Sequence, residues 1–334
     1  MTQRKTLVLH IGTHKTGTTY IQNVLARNAD RLLKAGILYP KSGRIHNAHF
    51  KLCWQLRHAD FKGAALDAIP EWRGMMDEFR TSKAEIAIVS AEEFAFSIPP
   101  KRLADLKAHF DVRVVCFVRS PDTFVQSFYN QFVKDFSTRE TRTLTQYLAE
   151  ENPFFLTNRP MLEKWIDVFG RPAVTVHSFE EATRTGELFG AFFKALELQV
   201  PPGLQSPSVD ILQKVSLPPD ALEYLRLSNP YLTKEQGHHG FVVDLVKVVQ
   251  DHKEKFQTTR SGVLSLASRQ MLRERFAPQN TWLAKTFWDQ QKNPYPVSQA
   301  ARPAGDFDTQ PEEADVHTLS RVSVLLRELM KKNA

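Results

Sequence analysis

The chain contains little cysteine, and it has neither a long apolar run nor a dense block of like charges. Its two cysteines, Cys53 and Cys116, are too few for a disulfide-based fold and favour a reducing compartment. No stretch approaches the roughly 20 apolar residues that cross a bilayer, and the apolar run near the N-terminus is too short for the core of a secretion signal. These absences predict a cytoplasmic protein without a transmembrane segment.

Lysine and arginine are spread along the chain rather than gathered in one basic arm, although the formal net charge is +7. We therefore expect no nucleic-acid partner. A modest positive balance favours acidic partners such as nucleotides, acidic glycans or anionic lipid surfaces, and it also keeps a surface soluble. No cysteine and histidine spacing is typical of a zinc site, and the adjacent His238 and His239 are poorly placed to share one metal. The sequence thus predicts no metal requirement.

Short apolar runs alternate with amphipathic segments through the N-terminal part of the chain. This alternation predicts an α/β fold, in which a P-loop-type parallel sheet is flanked by helices and followed by a mostly helical C-terminal part. Strands are predicted at residues 7–11, 86–89, 112–118 and 173–176. Helices are predicted at residues 18–33, 100–110, 122–134, 187–196 and 317–331.

A loop rich in glycine and threonine, GTHKTGTT at residues 12–19 (the Gly-Thr loop), joins the first predicted strand to the first predicted helix. Backbone N–H groups at a helix N-terminus bind anions, and glycines let a phosphate approach closely. Lys15 supplies a positive charge, and the hydroxyls of Thr16, Thr18 and Thr19 can add hydrogen bonds. The usual nucleoside-triphosphate loop has lysine directly after its second glycine, whereas this chain has Thr18 there. The alternative interpretation is an ordinary turn with a surface lysine.

A second basic position, Arg119, follows the predicted strand at residues 112–118. Its planar guanidinium suits bidentate binding of phosphate, and Ser127 lies two turns further along the next helix. Ligands bind at the carboxyl ends of parallel strands, so two anion sites at one edge fit a doubly phosphorylated nucleotide. The alternative is a Ser-Pro helix start with Arg119 in a surface ion pair.

Together the two motifs, HIGTHKTGTTYIQ and CFVRSPDTFVQSFY, resemble the 5′-phosphosulfate loop and the 3′-phosphate motif of sulfotransferases that use PAPS (3′-phosphoadenosine 5′-phosphosulfate). The similarity is greatest to bacterial proteins of the carbohydrate-modifying branch. It is clear over residues 7–135 and weaker in VTVHSFEEA and SRQMLRERFAPQNTWLAKTF. The glycine-rich C-terminal nucleotide motif of small-molecule sulfotransferases is not visible here, which disfavours a phenol or steroid acceptor.

The resemblance implies that the Gly-Thr loop binds the 5′-phosphosulfate and that Arg119 and Ser127 bind the 3′-phosphate. The predicted donor-binding residues are Thr13, His14, Lys15, Thr16, Gly17, Thr18, Thr19, Arg119 and Ser127. Sulfuryl transfer is a displacement at sulfur, analogous to phosphoryl transfer, that releases 3′-phosphoadenosine 5′-phosphate. Lys15 is expected to stabilise the charge on this leaving group.

A general base is needed to take the proton of the acceptor. The candidates are Glu92, Glu93, His14, His46 and His49. Glu92 ranks first because it follows the strand at residues 86–89 at the expected ligand edge, and His49 ranks second because a histidine titrates in a suitable range. The alternative roles are a helix-start carboxylate for Glu92 and a packed helix histidine for His49.

The acceptor is predicted to be a carbohydrate or a glycolipid precursor. Aromatic and basic residues that could line its cleft are Trp54, Trp72, Phe132, Lys134, Phe154, Phe155 and Trp282. Two other functions stay open, namely a magnesium-dependent P-loop kinase or nucleoside triphosphatase and a non-catalytic nucleotide-binding protein on the same fold. The oligomeric state is not specified by the sequence.

The character of the chain changes near residue 200, where prolines and serines mark a connecting loop. We predict a PAPS-binding core at residues 1–200 and a helical continuation of the same domain, on the acceptor side, at residues 201–296. A flexible segment and a closing amphipathic helix are predicted at residues 297–334.

Overall fold

The computed structural model describes residues 4–150, 156–184, 188–205, 216–233, 235, 237–256, 263–264 and 266–295, with six isolated positions after residue 318. The chain divides into two compact units. The first consists of Met1–Arg119, Thr157–Pro207 and Pro278–Pro294, and the second of Ser120–Leu156, Ser208–Ala277 and Tyr295–Ala334. The boundaries predicted at residues 200 and 296 stay predictions. The predicted flexible segment and most of the closing helix at residues 317–331 lie outside the described residues.

Within the described part of the first unit, a five-stranded sheet has the order β2-β3-β1-β4-β5, and every neighbouring pair is parallel. The strands are β1 (Thr6–Gly12), β2 (Ile37–Leu38), β3 (Ile86–Ser90), β4 (Asp111–Val118) and β5 (Val174–Ser178). This parallel sheet, flanked by helices, confirms the predicted α/β fold class.

The α-helices of the described residues follow in chain order. They are α1 (Thr18–Arg27), α2 (Ala29–Lys34), α3 (Phe50–Arg57), α4 (Pro70–Thr81), α5 (Glu93–Ser97), α6 (Leu106–His109), α7 (Pro121–Lys134), α8 (Leu144–Glu150), α9 (Asn158–Phe169), α10 (Phe179–Arg184), α11 (Leu188–Ala195), α12 (Pro219–Ser228), α13 (His238–Asp251), α14 (Leu266–Arg275) and α15 (Ala277–Phe287).

Both faces of the sheet are buried, which explains why β1 is a continuous apolar run rather than an alternating one. Leu7, Leu9 and Ile11 belong to one core cluster, which also holds buried residues of α3, α4, α5 and α9. Val8 belongs to a second cluster with residues of α1, α2 and α11. Because successive strand side chains point to opposite faces, each face of β1 packs against its own set of helices.

Two predicted helices need correction, and one strand was missed. The helix predicted at residues 18–33 ends at Arg27, because the Asn28 amide Nδ2 donates to the carbonyls of Val24 and Gln205 at 2.8 Å each, and α2 begins afresh at residue 29. The helix predicted at residues 100–110 is a 3-10 turn followed by the short α6. The two-residue strand β2 was not predicted, since two residues show no periodicity.

The second unit has a buried ion pair at the start of α7, where Pro121 occupies the first helical turn. Asp122 is fully buried, and its two carboxylate oxygens accept from Nε and Nη2 of Arg273, each at 3.0 Å. The Ser120 hydroxyl donates to the same carboxylate at 2.9 Å. This pair ties α14 to α7, because a bidentate arginine satisfies both oxygens of a buried carboxylate.

Candidate active site

The carboxyl ends of four neighbouring strands meet at one edge of the sheet. In the parallel register, β1 ends at Gly12, β3 at Ser90, β4 at Val118 and β5 at Ser178. From β1 the chain continues first to β2 and β3 on one side of β1, and then to β4 and β5 on the other side. A crevice is expected beside the end of β1, where the direction of winding reverses. The Gly-Thr loop, Glu92 and Arg119 all follow strands at this edge.

The Gly-Thr loop is shaped by three residues with left-handed backbone, Gly12 at φ +92°, Lys15 at φ +60° and Gly17 at φ +76°. A Cβ at Gly12 would lie 3.1 Å from the Cα of Glu92, and a Cβ at Gly17 would lie 2.2 Å from Cδ2 of Leu188. Backbone conformation favours glycine at both positions, and Gly12 in addition lies tightly against the backbone of Glu92, whereas the atom nearest Gly17 is the end of a leucine side chain.

Two threonine side chains hold the loop in this conformation. The backbone N–H and the hydroxyl of Thr13 both donate to the carbonyl of Phe117, at 2.9 and 3.2 Å. The buried Thr16 hydroxyl donates to the carbonyl of Thr13 at 2.6 Å. A hydroxyl has one proton to donate, and these bonds direct both protons inward to the backbone. The part of Thr13 and Thr16 in donor binding stays a prediction.

Helix α1 begins directly after the loop, with Gly17 as the N-terminal cap and Thr18 and Thr19 in the first turn. The first turn contains no acidic side chain. Backbone N–H groups of a first turn have no partner inside the helix, and the helix dipole adds partial positive charge there. The start of α1 therefore has the chemistry of an anion site, facing the same sheet edge.

Arg119 contacts the Gly-Thr loop directly. Its Nη1 donates to the carbonyl of Lys15 at 3.1 Å, while Nε lies 3.9 Å from the carboxylate of Glu180. Its guanidinium stands 5.0 Å from the centre of the Phe179 ring, which begins α10. The structure thus brings Arg119 and Lys15 together at one edge. Ser127 lies on α7 in the second unit, and its part in the site stays a prediction.

Glu92 is the N-terminal cap of α5, and a side chain of α1 orients its carboxylate. Gln22, which is 3% exposed, donates from Nε2 to Oε2 of Glu92 at 3.0 Å and to the Ser90 hydroxyl at 3.2 Å. The ring nitrogen Nδ1 of His10 lies 2.8 Å from the same hydroxyl. A continuous polar chain therefore runs from the interior of β1 to the carboxylate at the edge.

Sequence reasoning missed Gln22, Ser90 and His10. For Gln22 a signal existed, because it lies four residues after Thr18 and three before Leu25, on the buried face of α1. A polar amide on a buried helix face requires hydrogen-bond partners. The identity of those partners is a long-range property that the local pattern does not contain.

His49 does not fit the role of a base. It is fully buried, its Nε2 lies 3.0 Å from the carbonyl of Pro40, and its Nδ1 accepts from the backbone N–H of Ser90 at 3.1 Å. A carbonyl only accepts, so Nε2 carries the proton and both ring nitrogens are engaged with backbone. Burial lowers the pKa of His49 from 6.5 to about 3. The histidine joins the loop at Pro40 to the last residue of β3.

The other candidates differ in their surroundings. Glu93 is turned to α3, where Oε1 accepts from the indole Nε1 of Trp54 at 3.0 Å and Oε2 pairs with Arg57 at 2.5 Å. Burial lowers the pKa of His14, against an opposing effect of the nearby Glu92 charge. His46 is exposed on a loop. Among these carboxylates and imidazoles, Glu92 is the one that combines a place at the edge with a buried hydrogen-bond donor.

The residues predicted to line an acceptor cleft separate into several environments. Trp72 is fully buried in the core, whereas Trp54 is 46% exposed. Trp282 packs against Arg159, whose guanidinium lies 5.3 Å from its ring centre. Phe132 and Lys134 belong to α7 of the second unit, and burial lowers the pKa of Lys134 to about 8. The predicted residues Phe154 and Phe155 lie outside the described residues.

Neither a metal-binding cluster nor a membrane-spanning helix is present among the described residues. No group of three or more histidine, cysteine, aspartate or glutamate side chains there is arranged to hold a metal ion. In that same part of the chain, no helix has both the length and the apolar character needed to cross a membrane.

The chain is similar to solved structures of low sequence identity. One is a sulfotransferase from Alicyclobacillus acidocaldarius, which is 18% identical, with 70% of this chain and 97% of that chain covered and a TM-score of 0.37. Another is a sulfotransferase domain from the curacin biosynthetic pathway, which is 12% identical, with 96% and 98% covered and a TM-score of 0.32. No protein-family model matches the sequence, and no curated protein matches it.

Proposed function

We propose that the protein is a PAPS-dependent sulfotransferase that transfers the sulfuryl group to a hydroxyl or amine of a carbohydrate or glycolipid acceptor. The observation that carries this proposal is the meeting of three groups at one sheet edge. Arg119 donates to the carbonyl of Lys15 in the Gly-Thr loop, and the backbone of Glu92 closes against Gly12 at the start of that loop. Anion-binding groups and a carboxylate that can act as a base are therefore adjacent.

The Gly-Thr loop and the start of α1 would hold the phosphosulfate through backbone N–H groups, and Lys15 and Arg119 would add positive charge. This cationic edge stabilises the negative charge that builds on the 5′-phosphate as it leaves. Catalysis of this kind depends on positioning and electrostatics, because the donor already carries an activated sulfuryl group.

In the transfer step, the acceptor oxygen or nitrogen forms a bond to sulfur while the bond from sulfur to the bridging phosphate oxygen breaks. The acceptor's proton passes to the Glu92 carboxylate, and the electron pair of the broken bond stays on 3′-phosphoadenosine 5′-phosphate. Glu92 is preferred to His49 because its carboxylate stands at the edge, whereas both nitrogens of His49 are bonded to backbone.

Two buried, unpaired cysteines, Cys53 and Cys116, are compatible with the cytoplasmic location that the sequence predicts. Burial raises the pKa of both thiols, so neither is a reactive nucleophile.

The proposal is tested by calorimetry of the full chain with 3′-phosphoadenosine 5′-phosphate in the absence of magnesium, beside ATP with and without magnesium. Lys15→Ala and Arg119→Ala should each weaken binding of the bisphosphate by about tenfold or more, because each removes a charged phosphate contact. Arg113→Ala is the matched control, since Arg113 lies on β4 and is 46% exposed in weak pairs with Asp111 and Glu197.

Metal-independent binding that both substitutions weaken and the control leaves unchanged supports the donor site. If the bisphosphate does not bind, or if ATP binds better and only with magnesium, a P-loop kinase or nucleoside triphosphatase becomes the better assignment.

A further inference from the structure

An aromatic surface lies on α3, formed by Phe50 and Trp54. Trp54 is 46% exposed, and its ring is nearly parallel to that of Phe50, with an interplanar angle of 11° and centroids 6.3 Å apart. The opposite face of α3 is buried through Leu52, Cys53 and Leu56. Phe50 packs in part against the same core cluster, so Trp54 is the more exposed ring of the pair.

A charged pair borders this aromatic surface. The Trp54 indole Nε1 donates to Oε1 of Glu93 at 3.0 Å, and the other oxygen of Glu93 pairs with Arg57 at 2.5 Å. The hydrogen bond fixes the indole plane, so the exposed ring face is held in one orientation. Oε2 of Glu93 is buried, so hydroxyls of a ligand can bond to Oε1 and to the Arg57 guanidinium, whose side chain is 42% exposed.

The aromatic surface is close to the proposed reaction centre. Glu93 directly follows Glu92, whose carboxylate is oriented by Gln22. The two carboxylates have different partners, but the charges of both act to raise the pKa of His14 in the Gly-Thr loop, so both lie near that loop. An acceptor whose hydroxyl reaches Glu92 would extend over the neighbouring groups of α5 and α3.

We propose that the aromatic surface of α3 is the subsite for a neutral pyranose ring of the acceptor, next to the sugar that is sulfated. This inference rests on the proposed function and names its substrate class. The C–H groups of a pyranose face pack on an aromatic π surface, whose negative face attracts them, while Glu93 and Arg57 bond to the ring hydroxyls. The charges of Glu93 and Arg57 cancel, so the border has no excess positive charge to select a uronic acid.

The surroundings of Trp54 fit a phenol or steroid less well. Small apolar ligands are usually enclosed on most of their surface by apolar side chains. Trp54 is instead open to solvent on about half of its surface and stands beside an ion pair whose side chains are 42% and 21% exposed. An open aromatic face with a polar border suits one ring of a longer, hydrated chain.

The test uses the full-length protein saturated with 3′-phosphoadenosine 5′-phosphate. The neutral probes are maltohexaose, cellohexaose and mannohexaose, the acidic probe is an oligogalacturonate of similar length, and 2-naphthol is the phenol probe. Binding is measured by calorimetry for the wild type, Trp54→Ala, Trp54→Phe and the control Tyr231→Ala, which removes a 79% exposed aromatic ring of the second unit.

We expect at least one neutral hexasaccharide to bind the wild type, with Trp54→Ala weakening it by about tenfold and Trp54→Phe by no more than about threefold. The control should leave glycan affinity unchanged, and all variants should bind the bisphosphate as the wild type does. The inference is overturned if neutral glycans do not bind, if Trp54→Ala binds them like the wild type, or if oligogalacturonate or 2-naphthol binds best. If the wild type does not bind 3′-phosphoadenosine 5′-phosphate, the result contradicts the proposed function instead.

Discussion

The Gly-Thr loop and the aromatic surface of α3 belong to the same compact unit but are built in different ways. The loop is a backbone structure, with left-handed residues at Gly12, Lys15 and Gly17 and threonine hydroxyls bonded inward. The aromatic surface is a side-chain structure, in which Trp54 projects from a regular helix. We expect substitutions of the two loop glycines to disturb the fold, and substitutions of Trp54 to change mainly what the aromatic surface contacts. In the proposed function, the donor side would therefore be tied to the fold, and the acceptor side would be free to vary.

The strongest test of this difference between the Gly-Thr loop and the aromatic surface is a substitution of Glu92, whose carboxylate lies between them. Glu92→Gln should lower kcat by about 10² to 10⁴, because the amide cannot take the acceptor's proton, while affinity for 3′-phosphoadenosine 5′-phosphate stays within about twofold. Steady-state kinetics and calorimetry measure the two quantities. Glu93→Gln is the matched neighbour and should lower kcat much less. An unchanged kcat in Glu92→Gln would remove Glu92 from the mechanism.

The free energy of unfolding should also depend on pH through the buried His49. Burial lowers the pKa of His49 from 6.5 to about 3, so between these values the unfolded chain takes up a proton that the folded protein does not. The free energy of unfolding should therefore fall as pH falls through this window, by up to about 1.4 kcal/mol per pH unit from His49. In His49→Gln this dependence should flatten by that amount.

The dependence is measured by urea unfolding at several pH values between about 6 and 4. The control is His46→Gln, at an exposed histidine, which should keep the wild-type slope. His10 is also fully buried, and burial lowers its pKa to about 3, so His49→Gln should retain part of the slope. A slope in His49→Gln equal to that of the wild type would mean that His49 is not held neutral by burial.

Gly17→Ala tests whether packing, and not only backbone conformation, shapes the loop. At φ +76° an alanine costs about 1 kcal/mol, and its Cβ would also lie 2.2 Å from Leu188 Cδ2, which adds about 1 to 3 kcal/mol. Gly36→Ala is a matched control, since Gly36 has φ +82° with nothing within 4 Å of the added carbon. Urea unfolding should show a larger loss for Gly17→Ala, and Leu188→Ala in the same chain should recover part of it. Equal losses in the two glycine variants would mean that Leu188 simply moves aside.

The smallest effect is expected from Gln22, which touches Glu92 but no substrate in the proposed mechanism. Gln22→Met keeps the approximate volume and removes the hydrogen bond, so kcat should fall by about tenfold with bisphosphate affinity unchanged. The combined variant Gln22→Met/Glu92→Gln should lose little more than Glu92→Gln alone, because the amide acts through the carboxylate. Additive losses in this cycle would assign Gln22 a role in stability instead of positioning.

The amino-acid sequence by itself determined the parallel α/β class and the strand, loop and helix around residues 12–19. It also placed Lys15, Glu92 and Arg119 at the ends of strands, because buried strands are continuous apolar runs and parallel strands end at one edge. These are local properties that a short window contains. Their roles in binding and catalysis stay predictions.

Only the tertiary structure decided which polar groups face one another. Gln22 meets Glu92 across 70 residues of chain, and His49 meets Ser90 across 41, so neither pairing leaves a trace in the local pattern. The same holds for Trp54 and Trp72, which have the same side chain but opposite exposure. Which face of a helix packs against the core depends on neighbours that are distant in sequence. This packing buries Trp72 and leaves Trp54 on the surface.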